Sequence, residues 1–253
     1  MKKVIKAYLQ LEEHVLLMIK AEFFVQLIGA AFFLILNIYL AKQGFSDPEI
    51  ANFISYRFLA VMLLAFPLGF YIKGKPLKPF FILGSLGVPT VAIALVLAIQ
   101  YGLYHYLPAL FILWGVVFTL FQVSSLPYVM RNTSVANQSH AISLNYATHS
   151  FGTILSGIMI FGFGQFMREM DEGVILLFIA TLGFFGVYYL LKMKVDVVVP
   201  VKKGLQWTSY DWGLLLKAIV PTIIIAIGSG LAIPFINLFF FHNFQIDSKG
   251  FAV

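Results

Sequence analysis

The stretch Glu22-Phe-Phe-Val-Gln26-Leu-Ile-Gly29-Ala-Ala-Phe-Phe33-Leu-Ile-Leu-Asn37-Ile-Tyr-Leu-Ala41 decides the fold. A bilayer's hydrocarbon layer is about 30 Å thick and is crossed by about 20 mostly apolar residues in a helix. This run meets that length, and its polar side chains are not scattered. Glu22, Gln26, Gly29, Phe33 and Asn37 follow one another at spacings of four, three, four and four, which places them on one helix face. The pattern returns 200 positions later as Thr222, Ala226, Ser229, Ile233 and Asn237. Asn37-Ile-Tyr-Leu aligns with Asn237-Leu-Phe-Phe, Gly29 with Ser229, and Asp47 with Asp247 in the polar turn that follows. Such an echo points to two similar membrane halves, with this chain expected to stop shortly after the second begins.

The rest of the composition agrees with a membrane protein. Of the 253 residues, 60% are hydrophobic and 11% charged. Apolar segments are read near 15–41, 50–72, 79–100, 107–130, 141–166, 173–192 and 214–241. The expected fold is therefore an all-α integral membrane bundle of about seven transmembrane helices. The formal charge of +6 does not point to nucleic acid, because the basic residues are sorted by loop. With the N-terminus in the cytoplasm, Lys2, Lys3, Lys6, Lys73, Lys75, Lys78, Arg131, Lys192, Lys194, Lys202 and Lys203 lie inside. Only Lys42, Arg168 and Lys249 lie outside, which is the positive-inside pattern. A cytoplasmic N-terminus in a bacterial inner (plasma) membrane is the expectation. The first apolar run is too long for a cleavable signal, and the chain has no cysteine for disulfide or thiolate chemistry.

Turn chemistry marks the boundaries. In Gly44-Phe-Ser-Asp-Pro-Glu-Ile, Ser46 or Asp47 suits a helix cap, Pro48 the first turn, and Glu49 the positive end of the helix dipole. The longest connection runs from Lys192 to about Trp212, and its Trp207-Thr-Ser-Tyr-Asp-Trp fits headgroup depth. The domain reading is a six-helix bundle over 1–192, a cytoplasmic link over 193–213 and the opening helix of a second bundle over 214–253.

Six helices starting from the cytoplasm, a longer inner loop and a seventh helix echoing the first resemble the N-terminal half of a major facilitator superfamily transporter. The Gly44-Phe-Ser-Asp47 turn before the second helix resembles the family's loop there. The next loop, Gly69-Phe-Tyr-Ile-Lys73-Gly-Lys-Pro, keeps a glycine and basic character but has lysine where the family carries aspartate. The helix 4 arginine and the Gly-Pro of the antiporter signature are absent, which sets the chain apart from drug/proton antiporters. The resemblance implies two six-helix halves related by an axis along the membrane normal. It also implies that the faces of helices 1, 4 and 7 border a central cavity.

Candidate functional residues follow from intramembrane polarity, since polar groups inside a bilayer default to a functional hypothesis. Gln26, Asn37, Gln122, Ser125, Ser229 and Asn237 are substrate-cavity candidates, and their alternative is hydrogen bonding that glues helices together. Glu22, His149 and Arg57 are candidates for proton or ion coupling. For Glu22 the preferred reading is an interfacial charge beside Lys20, both reaching toward headgroups, and the alternative is a carboxyl that exchanges protons. Arg57 is expected to snorkel outward toward Asp47 and Glu49, with an anionic solute group as the other partner. His149, aligned with Asn145, Gly152 and Ser156, reads as an interhelical histidine or a proton relay. Pro127, after Ser124-Ser-Leu, reads as a structural kink or a gating bend, and Pro221 and Pro234 as interruptions of the seventh helix.

The functional expectation is secondary active or facilitated transport of a small solute by alternating access, with a coupled proton or sodium ion. No Walker loop, His-Glu-x-x-His or nucleophile elbow appears, so neither nucleotide-driven pumping nor enzymatic catalysis is expected. The alternative is a seven-helix receptor or another non-transport membrane protein. The partners expected are membrane lipid, the small-molecule substrate and the missing C-terminal half of the same transporter.

Overall fold

A computed structural model describes residue 8 and residues 11–166, 171–194, 211–246 and 250. Among them there are helices and no strands: α1 (Glu13–Lys42), α2 (Asp47–Tyr71), α3 (Lys78–Gln100), α4 (Leu107–Asn132), α5 (Gln138–Phe166), α6 (Glu172–Leu182), α7 (Phe185–Lys192), α8 (Trp212–Ala232) and α9 (Ile236–Phe244). With α6–α7 and α8–α9 each counted as one crossing, seven spans are long and apolar enough for a bilayer. The chain is an all-α membrane protein. The Asp247 register, the Trp207–Tyr210 segment and the basic residues before residue 8, at 202–203 and at 249 lie outside the described residues.

The spans begin and end within a few residues of the apolar runs, and local chemistry fixes their ends. Ser46 precedes α2; its backbone N–H donates to the Glu49 carboxylate at 2.8 Å and its hydroxyl donates to the same oxygen at 2.6 Å. Pro48 occupies the first turn, where its missing N–H costs nothing. At the opposite end of the bundle, Arg131 donates to the Lys75 and Ile72 carbonyls that follow α2.

Two spans are broken. The sixth turns at Gly183-Phe184, where Gly183 N–H donates to Ala180 O and Phe184 N–H to Thr181 O in tight three-residue steps. A Cβ on Gly183 would stand 2.2 Å from Ile28 Cδ1, so glycine lets this span lie against α1. The seventh is interrupted by the short 3-10 turn Ile233–Phe235, centred on Pro234, which has no N–H for the helical ladder. The interruption expected at Pro234 is therefore present, whereas α8 continues through Pro221, and α4 continues through Pro127.

The organising element is α1. It touches every other span, through α2, α3, α4, α5, α6, α7 and α9. Val15, Ile28, Ile35, Ile38 and Tyr39 on it are fully buried. The most extensive interfaces pair α2 with α4, α1 with α5, α3 with α4, and the sixth span with both α1 and α3. The outward faces are apolar: Met62, Leu63 and Phe66 on α2 are about two-thirds exposed, as are Leu214, Ile224 and Ile225 on α8. Aliphatic and aromatic surface of this kind is compatible with lipid tails.

Candidate functional site

Close helix approach builds the site. Gly152 on α5 packs onto α1, where an added Cβ would meet Gln26 C and Leu27 N, both at 3.1 Å. One turn along α5, the Ser156 hydroxyl donates to the Leu27 carbonyl at 2.9 Å. These contacts bring Asn145 and His149 of α5 against the polar stripe of α1, and α4 closes the third side. The result is a cavity of about 310 Å³ lined by Glu22, Gln26, Gln122, Ser125, Asn145 and His149, with Phe118, Leu126 and Tyr146 completing it. It lies in the half of the bundle nearer the start of α1. Glu22 is nine residues past Glu13, roughly 14 Å along the helix.

Five sequence candidates therefore share one cavity: Glu22, Gln26, Gln122, Ser125 and His149. Glu22 is 2% exposed, which corrects the interfacial reading. Lys20 is exposed and points the other way, its Nζ lying 5.7 Å from the Tyr189 ring, so the two residues do not share an environment. Glu22 accepts a hydrogen bond from the Ser125 hydroxyl at 2.7 Å and, among the described residues, makes no ion pair. Ser125 Oγ also lies 3.1 Å from Asn145 Oδ1. A serine hydroxyl has a single hydrogen, so it serves one acceptor at a time. With Glu22 ionised, the hydrogen goes to the carboxylate. With Glu22 protonated, the carboxyl donates to Ser125, freeing the serine hydrogen for Asn145. The triad thus has two satisfied arrangements that differ by one proton. His149 is exposed at the cavity's rim and also borders a second opening with Tyr146, Ser150 and Thr153.

Asn37 and Asn237 do not line this cavity. They form a reciprocal clasp near the far end of α1: Asn37 Nδ2 donates to the Pro234 carbonyl, and Asn237 Nδ2 donates to the Phe33 and Leu34 carbonyls at 2.8 Å each. Both residues are buried. Beyond them, His242 Nε2 lies 3.0 Å from Asp47 Oδ1. These two asparagines thus bond the seventh span to α1, and Asn37 also lines a small recess beside Arg57 and Trp114. Ser229 is half-buried on α8 and belongs to neither cluster.

Arg57 departs most from expectation. It does not snorkel to Asp47 or Glu49. Its guanidinium turns inward, 4.2 Å from the Trp114 ring centroid and 5.2 Å from that of Phe118. Arg57 lies ten residues past Asp47, roughly 15 Å of helix, which is beyond the reach of an extended side chain to the surface. Gly115 permits the inward placement, since an added Cβ would lie 2.4 Å from the Arg57 carbonyl oxygen. Phe118 stands between this arginine and the Glu22 cavity, and its Cε2 is 3.5 Å from where a Gly29 Cβ would be.

Asn145 is the cavity residue that the sequence undervalued. Its signal was present in the Asn145, His149, Gly152, Ser156 alignment, but only the α5–α1 approach makes it a partner of Ser125. Among the described residues no cluster of three histidine, aspartate or glutamate side chains gathers to hold a metal ion.

No protein-family model and no curated protein matches the chain.

Proposed function

We propose that this protein is a solute carrier of the major facilitator type, and that the Glu22 cavity is where solute and a coupled proton meet. The observation that carries this reading is Glu22 itself: a carboxyl within a membrane span, facing a cavity, with hydroxyl and amide partners and, among the described residues, no cation. Such a group is costly inside a bilayer and marks a route for ions or protons. The two arrangements of Glu22, Ser125 and Asn145 give the proton a defined consequence at the cavity wall. Gln26 and Gln122 supply amide donors and acceptors for a polar solute.

The packing order supports the family assignment. In that family each six-helix half contains two three-helix repeats of inverted orientation. Exchanging spans 1, 2 and 3 with 4, 5 and 6 turns the α1–α5 interface into α4–α2, and α3–α4 into the contact of the sixth span with α1. The contact of α3 with the sixth span maps onto itself. All the most extensive interfaces obey this exchange. The Asn37–Asn237 clasp, between residues 200 positions apart, supports a second half that repeats the first. The positive-inside pattern orients the start of α1, and hence the Glu22 half of the bundle, toward the cytoplasm.

The test is uptake into proteoliposomes, screening sugars, organic anions, peptides and amines with and without an inward proton gradient. Wild-type protein accumulates its solute only with the gradient, and Glu22→Gln retains downhill uptake while losing accumulation. Gradient-driven accumulation by Glu22→Gln at the wild-type level removes Glu22 as the proton site.

A further inference from the structure

We infer that Arg57 and Trp114 form a second binding site, outside the Glu22 cavity, for the carboxylate of an organic anion with an apolar or aromatic body. Two buried donors belong to its lining residues: among the described residues Arg57 Nε and Trp114 Nε1 each lack a hydrogen-bond partner, and Trp114 is 1% exposed. Buried donors are nearly always satisfied, so a pair of orphans beside one recess marks an absent acceptor. Among the described residues Arg57 makes no ion pair. Both side chains line a recess of about 30 Å³ with Asn37, Phe111 and Pro234. That volume equals roughly one water's share of the liquid, enough for the head of a carboxylate and too little for the rest of a molecule.

The body of the ligand is accommodated at the rim. Phe33 and Phe58 border the recess and are 39% and 48% exposed, forming an apolar mouth around the cationic base. An anion entering there exchanges hydration for a guanidinium fork and an indole N–H, and its apolar body rests on rings. A neutral amide of the same shape offers one acceptor oxygen in place of two and no charge for the guanidinium, so it binds more weakly. A lipid headgroup shares the anionic chemistry. However, the roughly 15 Å of helix between Asp47 and Arg57 places the recess near the middle of the hydrocarbon layer, away from headgroups. Occupancy by a solute is therefore favoured. That this ligand is the transported solute rests on the carrier reading; that the site binds a carboxylate does not.

The experiment measures binding of 1-naphthoate and of neutral 1-naphthamide by equilibrium dialysis. The full chain is held in nanodiscs of phosphatidylcholine or of phosphatidylglycerol. Wild-type protein binds naphthoate at least tenfold more tightly than naphthamide, with similar affinity in both lipids. Arg57→Gln weakens naphthoate binding at least tenfold, and Arg57→Lys weakens it less, since lysine keeps the charge without the fork. Should Arg57→Gln fail to fold, Trp114→Phe, which removes one orphaned donor and keeps a ring, weakens naphthoate binding by several fold.

The site is overturned by any of three results. One is equal binding of naphthoate and naphthamide, or of neither, by the wild type. Another is naphthoate affinity within twofold of wild type in both Arg57→Gln and Trp114→Phe. The third is loss of naphthoate binding in phosphatidylglycerol alone, which assigns the recess to lipid. Naphthoate binding that depends on Arg57, with no solute uptake in proteoliposomes, keeps this site and removes the carrier reading. Uptake that is unaffected by Arg57→Gln, with no naphthoate binding, does the reverse.

Discussion

Replacing Asn237 with leucine should unfasten the seventh span from α1. The side chains are similar in size, so the change removes hydrogen bonds rather than packing. Two bonds are lost, to the Phe33 and Leu34 carbonyls, both at 2.8 Å. Interhelical polar contacts in membranes average about 0.6 kcal/mol and reach about 1.7 kcal/mol, so the pair contributes about 1–3 kcal/mol. The abandoned carbonyls keep their own helical partners within α1, so no buried acceptor is orphaned to inflate that figure. A loss of this size shifts the clasped-to-unclasped ratio roughly 5- to 150-fold. The absence of cysteine gives a clean background for reading the shift. Cysteines introduced at Asp47 and His242, whose native side chains meet across the same junction, are bridged by a short bifunctional thiol reagent. Asn237→Leu should slow bridging by at least fivefold, and Asn37→Leu, which loses one bond, should slow it less. Bridging rates within twofold of the parent for both variants would refute the clasp.

Gly152→Leu should separate α5 from α1 and destabilise the bundle by about 1–3 kcal/mol, the usual cost of overpacking. Gly162→Leu on the same helix should be neutral, because an added Cβ there meets nothing within 4 Å; thermal unfolding in detergent compares them, and equal midpoints would contradict the close approach. Ser125→Ala removes the hydrogen shared by Glu22 and Asn145, so proton-driven uptake should fall at least fivefold while downhill exchange changes less, and an unchanged ratio of the two would dismiss the triad. A tag placed before Tyr8 should be shielded in right-side-out vesicles and labelled in inverted ones; the opposite pattern reverses the orientation.

The spans were legible because seven long apolar runs in lipid leave the backbone no alternative to helix, and the Ser46–Glu49 cap is local chemistry. The cavity was partly legible for a related reason. Helical spacing put Glu22 and Gln26 on one face, and α1, as the hub, buries that face against α4 and α5. Rotamers and helix approach were not legible. Whether Arg57 reaches out to Asp47 or folds onto Trp114 depends on Gly115 letting α2 lie close to α4, a contact between residues 58 positions apart. Glu22 looked interfacial because Lys20 is its neighbour in sequence, yet residues two apart on a helix face different ways. The tight turn in the sixth span was also hidden, since the close approach of Gly183 to Ile28 is a contact between helices far apart in sequence.

Exchange across the membrane tests the carrier reading most directly. Proteoliposomes preloaded with the unlabelled solute identified by the uptake screen should take up labelled solute several-fold faster than empty ones, with saturation, because a site exposed alternately to the two sides returns faster when loaded. Uptake that rises linearly with concentration and ignores preloading would contradict an alternating site and leave the Glu22 cavity without a transport role.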